Sequence, residues 1–179
     1  VCFRPQVILI HSSRLWEFDA KFRGQLEQPG PFVCISPTDR ERIQGILTNW
    51  EREARRLSGT FSGGQMTGEA GFFLNPAMAT VGGINGTFIA DEVFGDATAI
   101  VGYGDLNEVV SVVNRADALA VSLWGSDAHL MADRLNKPSN IWLDQHFGRF
   151  TTPDAPWCVG PFQQCGVQGI LQCTHLQGR

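Results

Sequence analysis

The chain has 179 residues, 43% hydrophobic and 18% charged, the balance of a globular protein rather than a disordered or membrane-embedded one, with length enough to bury a core within one domain. A formal net charge of −4 without a basic block argues against partners such as nucleic acid or an anionic membrane, because neutralising phosphates requires clustered Lys and Arg. The five cysteines, Cys2, Cys34, Cys158, Cys165 and Cys173, make neither a paired framework nor a C-x2-C motif, so an oxidised scaffold is not indicated and no metal is expected.

Arg52, Arg55 and Arg56 are the local basic cluster and suit the solvated face of a helix. No stretch reaches the roughly 20 apolar residues of a membrane span. The opening Val1-Cys2-Phe3-Arg4 has neither signal-peptide architecture nor an initiator Met, so the chain is expected to begin mid-protein and to be intracellular, with a cytoplasmic location the default.

Val7-Ile8-Leu9-Ile10 is a continuous apolar run, suited to a strand buried on both faces of a parallel sheet. Ser12 and Ser13 offer an N-cap for a helix with Leu15, Phe18, Phe22 and Leu26 at helical spacing, ending near Gly30-Pro31. A second helix opens at Pro37-Thr38-Asp39 and aligns Ile43, Ile46, Leu47, Trp50 and Leu57 on one side. Ser58 to Ala70, rich in Gly, Ser and Thr, reads as a loop. Gly71 to Pro76 and Ala77 to Val81 read as extended, with Pro76 marking an edge or a strand start because it cannot donate to a ladder.

Ala97 to Val101 is the next strand, and Asp105 to Glu108 caps a helix bearing Val109, Val112 and Val113. Leu119 to Trp124 reads as a strand, Asp127 to Leu135 as a helix and Asn140 to Leu143 as the last strand. This alternation predicts an α/β fold with a mostly parallel sheet covered by helices. Periodicity fades from about Gly148. The expected organisation is an α/β domain over residues 1–147 with an irregular extension, 148–179, of the same domain.

Four landmarks carry a more specific pattern. Cys2 precedes, after a short polar stretch, the apolar run ending at His11. Gly63-Gly64 is followed by Gly71-Phe72-Phe73 and Pro76. Asp91-Glu92-Val93-Phe94-Gly95 is followed by Tyr103, Asp105-Leu106-Asn107-Glu108 and Asn114. Leu119 to Trp124, Asp127 and Ile141-Trp142 precede Ala155-Pro156-Trp157, Gly169-Ile170-Leu171 and Thr174. Taken alone, an acidic pair before an apolar run is also how an ordinary loop enters a strand. In this order and spacing, the four landmarks resemble the C-terminal, catalytic half of the aldehyde dehydrogenase superfamily over nearly the whole chain.

The resemblance implies an NAD(P)-dependent aldehyde dehydrogenase that oxidises an aldehyde to a carboxylic acid through a cysteine thiohemiacetal and thioester. Cys2 matches the nucleophile. Glu92 matches the acceptor of the cofactor's ribose hydroxyls, and Phe94 the wall of the nicotinamide. By register, Phe3, His146, Phe147 and Trp157 fall near the aldehyde tunnel. Ala155-Pro156-Trp157 resembles betaine- and aminoaldehyde-type members, in which an aromatic face can hold a cationic substrate; plain packing is the other reading of Trp157. A cofactor of NAD or NADP, a cofactor-binding domain outside these residues and a homo-oligomer are the implied partners.

The pattern also departs from the family. No Gly-rich loop stands in the strand-turn-helix setting of a dinucleotide site, and the general-base glutamate and oxyanion-hole asparagine have no match here. Val7 holds the place of the arginine that usually follows the nucleophile, with Arg4 nearby. Asp96 replaces the proline after Phe-Gly, and Asp91 the first glutamate. Cys158 to Gly166 lacks the lysine and glycine pair expected there. These losses leave a second reading, a non-catalytic aldehyde dehydrogenase-like scaffold or oligomerisation domain. A cysteine hydrolase pairing Cys2 with His11 or His146 lacks a third, orienting residue.

Overall fold

The computed structural model describes residues 6–25, 30–67, 72–84, 86–116, 118, 120–136, 141–144, 157–159 and 163–165. The described residues divide into two compact units, one over residues 6–108 and one from residue 109 onward.

The first unit contains β1 (Val7–His11), a 3-10 turn (Ser12–Arg14), α1 (Leu15–Gln25), β2 (Phe32–Val33), α2 (Pro37–Arg56), β3 (Thr60–Ser62), β4 (Met66–Thr67), β5 (Phe73–Leu74), β6 (Ala77–Val81), α3 (Thr87–Ala90) and β7 (Ala97–Tyr103). Its main sheet runs β1-β7-β6-β3. Strands β1, β7 and β6 are parallel, and β3 joins antiparallel at the edge. The expected mostly parallel α/β sheet is therefore present. Ala99, Ile100 and Val101 of central β7 are closed to solvent, as a strand flanked on both sides and covered on both faces requires. The run Val7 to Ile10 is half-buried instead, because β1 is an edge strand of the described sheet. Pro76 proves to be a strand start and not an edge, since β6 lies inside the sheet.

Helix α2 follows its sequence closely. Ser36 caps it by accepting from the Asp39 amide, Pro37 sits in the first turn, and Ile43, Ile46, Leu47, Trp50 and Ala54 are buried. Fully burying each large aliphatic side chain contributes about 1.5–3 kcal/mol. Trp50 meets Phe88 of α3 edge-on, with ring centroids 5.5 Å apart.

Helix α1 departs from expectation. His11, rather than Ser12 or Ser13, caps the entering turn by accepting from the Ser13 amide, while the Ser12 hydroxyl donates to the Tyr103 carbonyl at 2.9 Å. Leu15 is buried, but one turn later the buried residue is Asp19. Its carboxylate accepts from Arg23 Nε at 2.9 Å and from the Thr80 hydroxyl at 2.6 Å. Arg23 also donates to Thr60, Ser62 and Thr80. A polar network, not a continuous apolar stripe, thus docks this helix on β3 and β6.

The segment expected to be a loop between Ser58 and Ala70 holds β3 and β4, both too short to show alternation. Strands β2, β5 and β4 form a small antiparallel sheet of their own.

Helix α4 (Leu106–Arg115) leads into the second unit, which contains β8 (Val121–Leu123), α5 (Ala128–Ala132) and β9 (Ile141–Leu143). Strands β8 and β9 pair in parallel. The region expected to be irregular contains β10 (Trp157–Val159) and β11 (Gln163–Cys165), an antiparallel pair. Three residues per strand are too few for a period of two to stand out.

Candidate functional site

The segment from Asp91 to Asp96 joins α3 to β7 and belongs to neither helix nor strand, so other contacts must fix its backbone. Inside the loop, the Gly95 amide donates to the Val93 carbonyl at 2.9 Å, a three-residue turn with Phe94 at its apex. The Val93 side chain is 3% exposed within the core cluster. Gly95 lies so close to β2 that a Cβ there would fall 2.4 Å from Phe32 Cε2. The Asp96 carbonyl accepts from the Ala77 amide at 2.8 Å at the start of β6.

Two distant side chains hold the other end. Gln6 donates from Nε2 to the Asp91 carbonyl at 2.7 Å and accepts at Oε1 from the Val93 amide at 2.9 Å. Arg42 donates from Nη1 to the Glu92 carbonyl at 3.1 Å. With Val93 turned into the core, Glu92 and Phe94 point outward. Glu92 is exposed and its bond to Arg42 uses the backbone, while Phe94 is 48% exposed. A carboxylate acceptor and an apolar ring therefore stand two residues apart on a fixed backbone. Such a pair can accept hydrogen bonds from a polyol and cover the face of a flat heterocycle, which fits a ribose and nicotinamide in chemical type.

Sequence reasoning singled out Glu92 and Phe94 as candidates and did not single out Gln6 or Arg42, which hold their loop. No local motif marks either, because their partners lie 85, 87 and 50 positions away. Cys2, Phe3, His146 and Phe147 lie outside the described residues. Trp157 opens β10, where it pairs with Cys165.

The other landmarks have structural work to do. Gly63 and Gly64 adopt φ of +83° and +80°, which glycine tolerates and other residues rarely do. A Cβ on Gly63 would sit 1.7 Å from the Pro76 carbonyl oxygen. The Gly64 amide donates to the Asn75 carbonyl and the Asn75 amide to Gln65. The Gly-Gly and aromatic-Pro elements thus form one backbone lock. Beside it, a cleft of about 160 Å³ includes Gln44, Thr48 and Glu51, well under the 300 Å³ or so of an ordinary ligand site. Asn114 secures the segment after α5, donating to the Arg134 carbonyl and accepting from the Asn136 amide.

Cys34 is buried, and burial, with a smaller push from Asp39 and an opposing pull from Arg40, raises its thiol pKa. That environment suits an inert core thiol, not a nucleophile. Among the described residues, no group of three or more His, Cys, Asp or Glu could hold a metal ion. No described helix is long and apolar enough to cross a membrane.

No protein-family model matches the chain. DhaS of Bacillus subtilis, whose aldehyde dehydrogenase name is itself provisional, is 27% identical over 144 residues, which cover 78% of this chain and 27% of that protein. The mitochondrial aldehyde dehydrogenase of Leishmania tarentolae is 24% identical over 182 residues, covering 93% of this chain and 35% of the relative. The solved structure of an NAD-dependent aldehyde dehydrogenase from Sinorhizobium meliloti superposes with a TM-score of 0.75 at 17% identity, over 96% of this chain and 37% of the other. The chain spans about a third or less of the curated relatives it matches.

Proposed function

From a chain similar in sequence to aldehyde dehydrogenases and carrying the fold of an aldehyde dehydrogenase domain, we propose that it supplies the catalytic portion of an NAD(P)-dependent enzyme oxidising an aldehyde to a carboxylic acid. The observation that carries this reading is the loop from Asp91 to Asp96, where the backbone is held by Gln6 just before β1, by α2 and by β6 while Glu92 and Phe94 remain exposed. NAD or NADP, when bound, would supply the hydride acceptor for a thiohemiacetal-to-thioester oxidation, after which water would cleave the thioester to the carboxylic acid and return the Cys2 thiol.

This chain's own residues then have separate tasks. The Cys2 thiolate attacks the aldehyde carbonyl, forming a sulfur–carbon bond as the carbonyl π pair moves to oxygen. Glu92 accepts hydrogen bonds from the ribose hydroxyls, and Phe94 covers the nicotinamide and excludes water from it. Phe3, His146, Phe147 and Trp157 line the aldehyde's approach. The remainder of the cofactor site belongs to a domain outside these residues, and the protein is proposed to be a cytoplasmic homo-oligomer.

In the complete protein, aldehyde-dependent formation of reduced cofactor should be abolished by Cys2→Ser, and Glu92→Gln should raise the KM for cofactor more than that for aldehyde. Wild-type Cys2 should react with iodoacetamide faster than an ordinary exposed cysteine. Ordinary thiol reactivity, turnover that survives Cys2→Ser, or no cofactor binding at all would overturn the enzyme reading. The last result would favour the scaffold.

A further inference from the structure

We infer that Gln6 is the positioning residue for the cofactor loop, an inference that rests on the cofactor role proposed above for Glu92 and Phe94. Its amide donates to the Asp91 carbonyl and accepts from the Val93 amide, so its two bonds bracket Glu92. Asn and Gln are suited to this task, because a side-chain amide offers a donor and an acceptor together and can copy the bonding of a β-strand. Asparagine, one methylene shorter, would reach less far. Leucine offers neither bond, and an ionised glutamate offers an acceptor alone.

The loop needs such a partner because its own amides and carbonyls between Asp91 and Val93 have no ladder to join. Gln6 is itself fixed, since its backbone carbonyl accepts from the Ala99 amide of β7 at 2.8 Å. The geometry of the Glu92 backbone is thereby tied to the central strand of the parallel sheet. Arg42 is the weaker restraint. Its side chain is 48% exposed and also engages Asp39, and it makes one bond to the loop where Gln6 makes two. In sequence, Gln6 follows Cys2 by four residues.

The test uses the complete protein with Gln6→Leu, Gln6→Glu and, as a control, Glu92→Gln. Three quantities are read: hydrogen exchange at the Val93 amide, the Kd for NAD+ or NADP+, and the KM for aldehyde. Gln6→Leu should speed Val93 exchange and weaken cofactor binding, each by roughly tenfold, the scale set by one or two neutral hydrogen bonds, while the aldehyde KM stays within about twofold. Gln6→Glu should fall between Gln6→Leu and wild type, and it decides the matter if the leucine variant does not fold. A cofactor Kd unchanged by either Gln6 variant but weakened by Glu92→Gln overturns the role of Gln6 and leaves the cofactor site standing. Equal losses in cofactor Kd and aldehyde KM also overturn it, because a general loss of structure would produce them. No cofactor binding in wild type removes both readings.

Discussion

Gly95→Ala is the sharpest test of how the loop is held. An alanine Cβ would meet Phe32 Cε2 at 2.4 Å and Cζ at 2.6 Å, against an ordinary carbon–carbon separation of about 3.5–4.0 Å. The ring or the loop must therefore move by roughly 1 Å. Phe32 is half-buried against the core cluster and stands opposite Leu74 in the β2–β5 pair, so its ring is not free to yield at no cost. Gly95 is absent from the glycines with positive φ, which leaves the close approach as the reason for glycine. Overpacking of this kind costs about 1–3 kcal/mol, and each kcal/mol lowers the melting temperature of a chain this size by about 2–4 °C. Urea unfolding of wild type, Gly95→Ala, Phe32→Leu and the double variant separates the terms. In the Phe32→Leu background the alanine should cost under about 1 kcal/mol, because the atoms it strikes are gone. An equal cost in both backgrounds would refute the steric account.

Asp19→Ala should destabilise by roughly 3 kcal/mol in urea unfolding, because it leaves a buried Thr80 hydroxyl and a part-buried Arg23 guanidinium without their shared acceptor; a loss below about 1 kcal/mol would count against the network. Glu17 should titrate near 2 by carboxyl NMR at low salt, held down by hydrogen bonds first from Arg14 and then from Lys21. Since the folded pKa lies below the ordinary 4.5, its contribution is complete above that pH and fades as pH falls toward 2; high salt should move the midpoint back up, and an ordinary midpoint at low salt would refute the pairing. Cys34 should be silent to Ellman's reagent in the folded protein at pH 8 and react on denaturation, whereas prompt labelling at Cys34 would contradict its burial. Phe94→Ala should change stability by less than about 0.5 kcal/mol, as exposed substitutions do, yet weaken cofactor binding; unchanged binding would remove Phe94 from the site.

What the sequence made legible follows from how local each cause is. Helix α2 could be read because Pro37-Thr38-Asp39 and the stripe of Ile43, Ile46, Leu47 and Trp50 all lie within the helix, whereas Leu57, expected on the same side, falls just past its end. Strand β7 was visible because a central strand needs apolar residues on both faces. Asp19 could not be anticipated as a buried residue, since its acceptor role depends on Thr80, 61 positions away. Strands β2, β4 and β5, of two residues each, hold no period to detect. The site divides in the same way. The exposed pair Glu92 and Phe94 sits in a recognisable motif, while its supports, Gln6 and Arg42, act through backbone groups of the loop and impose no pattern beside it.

This division also bears on the choice between enzyme and scaffold. A scaffold keeps residues whose loss would loosen the core, and in the loop that description fits Val93 and Gly95, one buried and one pressed against Phe32. It fits Glu92 and Phe94 less well, since the first is exposed and the second about half exposed, and exposed substitutions change stability little. Phe94, at the apex of a restrained turn, is 48% exposed and leaves about half of its apolar surface in water. Surface supplied by another domain or a bound ring would remove that cost. The restraint works in the same direction, because Gln6 and Arg42 grip the backbone on either side of and at Glu92 while leaving its carboxylate outward. Fixing a backbone whose exposed side chains do nothing would lower chain entropy without strengthening the core. Under the proposed cofactor role of Glu92 and Phe94, fixing it would lower the ordering cost of binding instead.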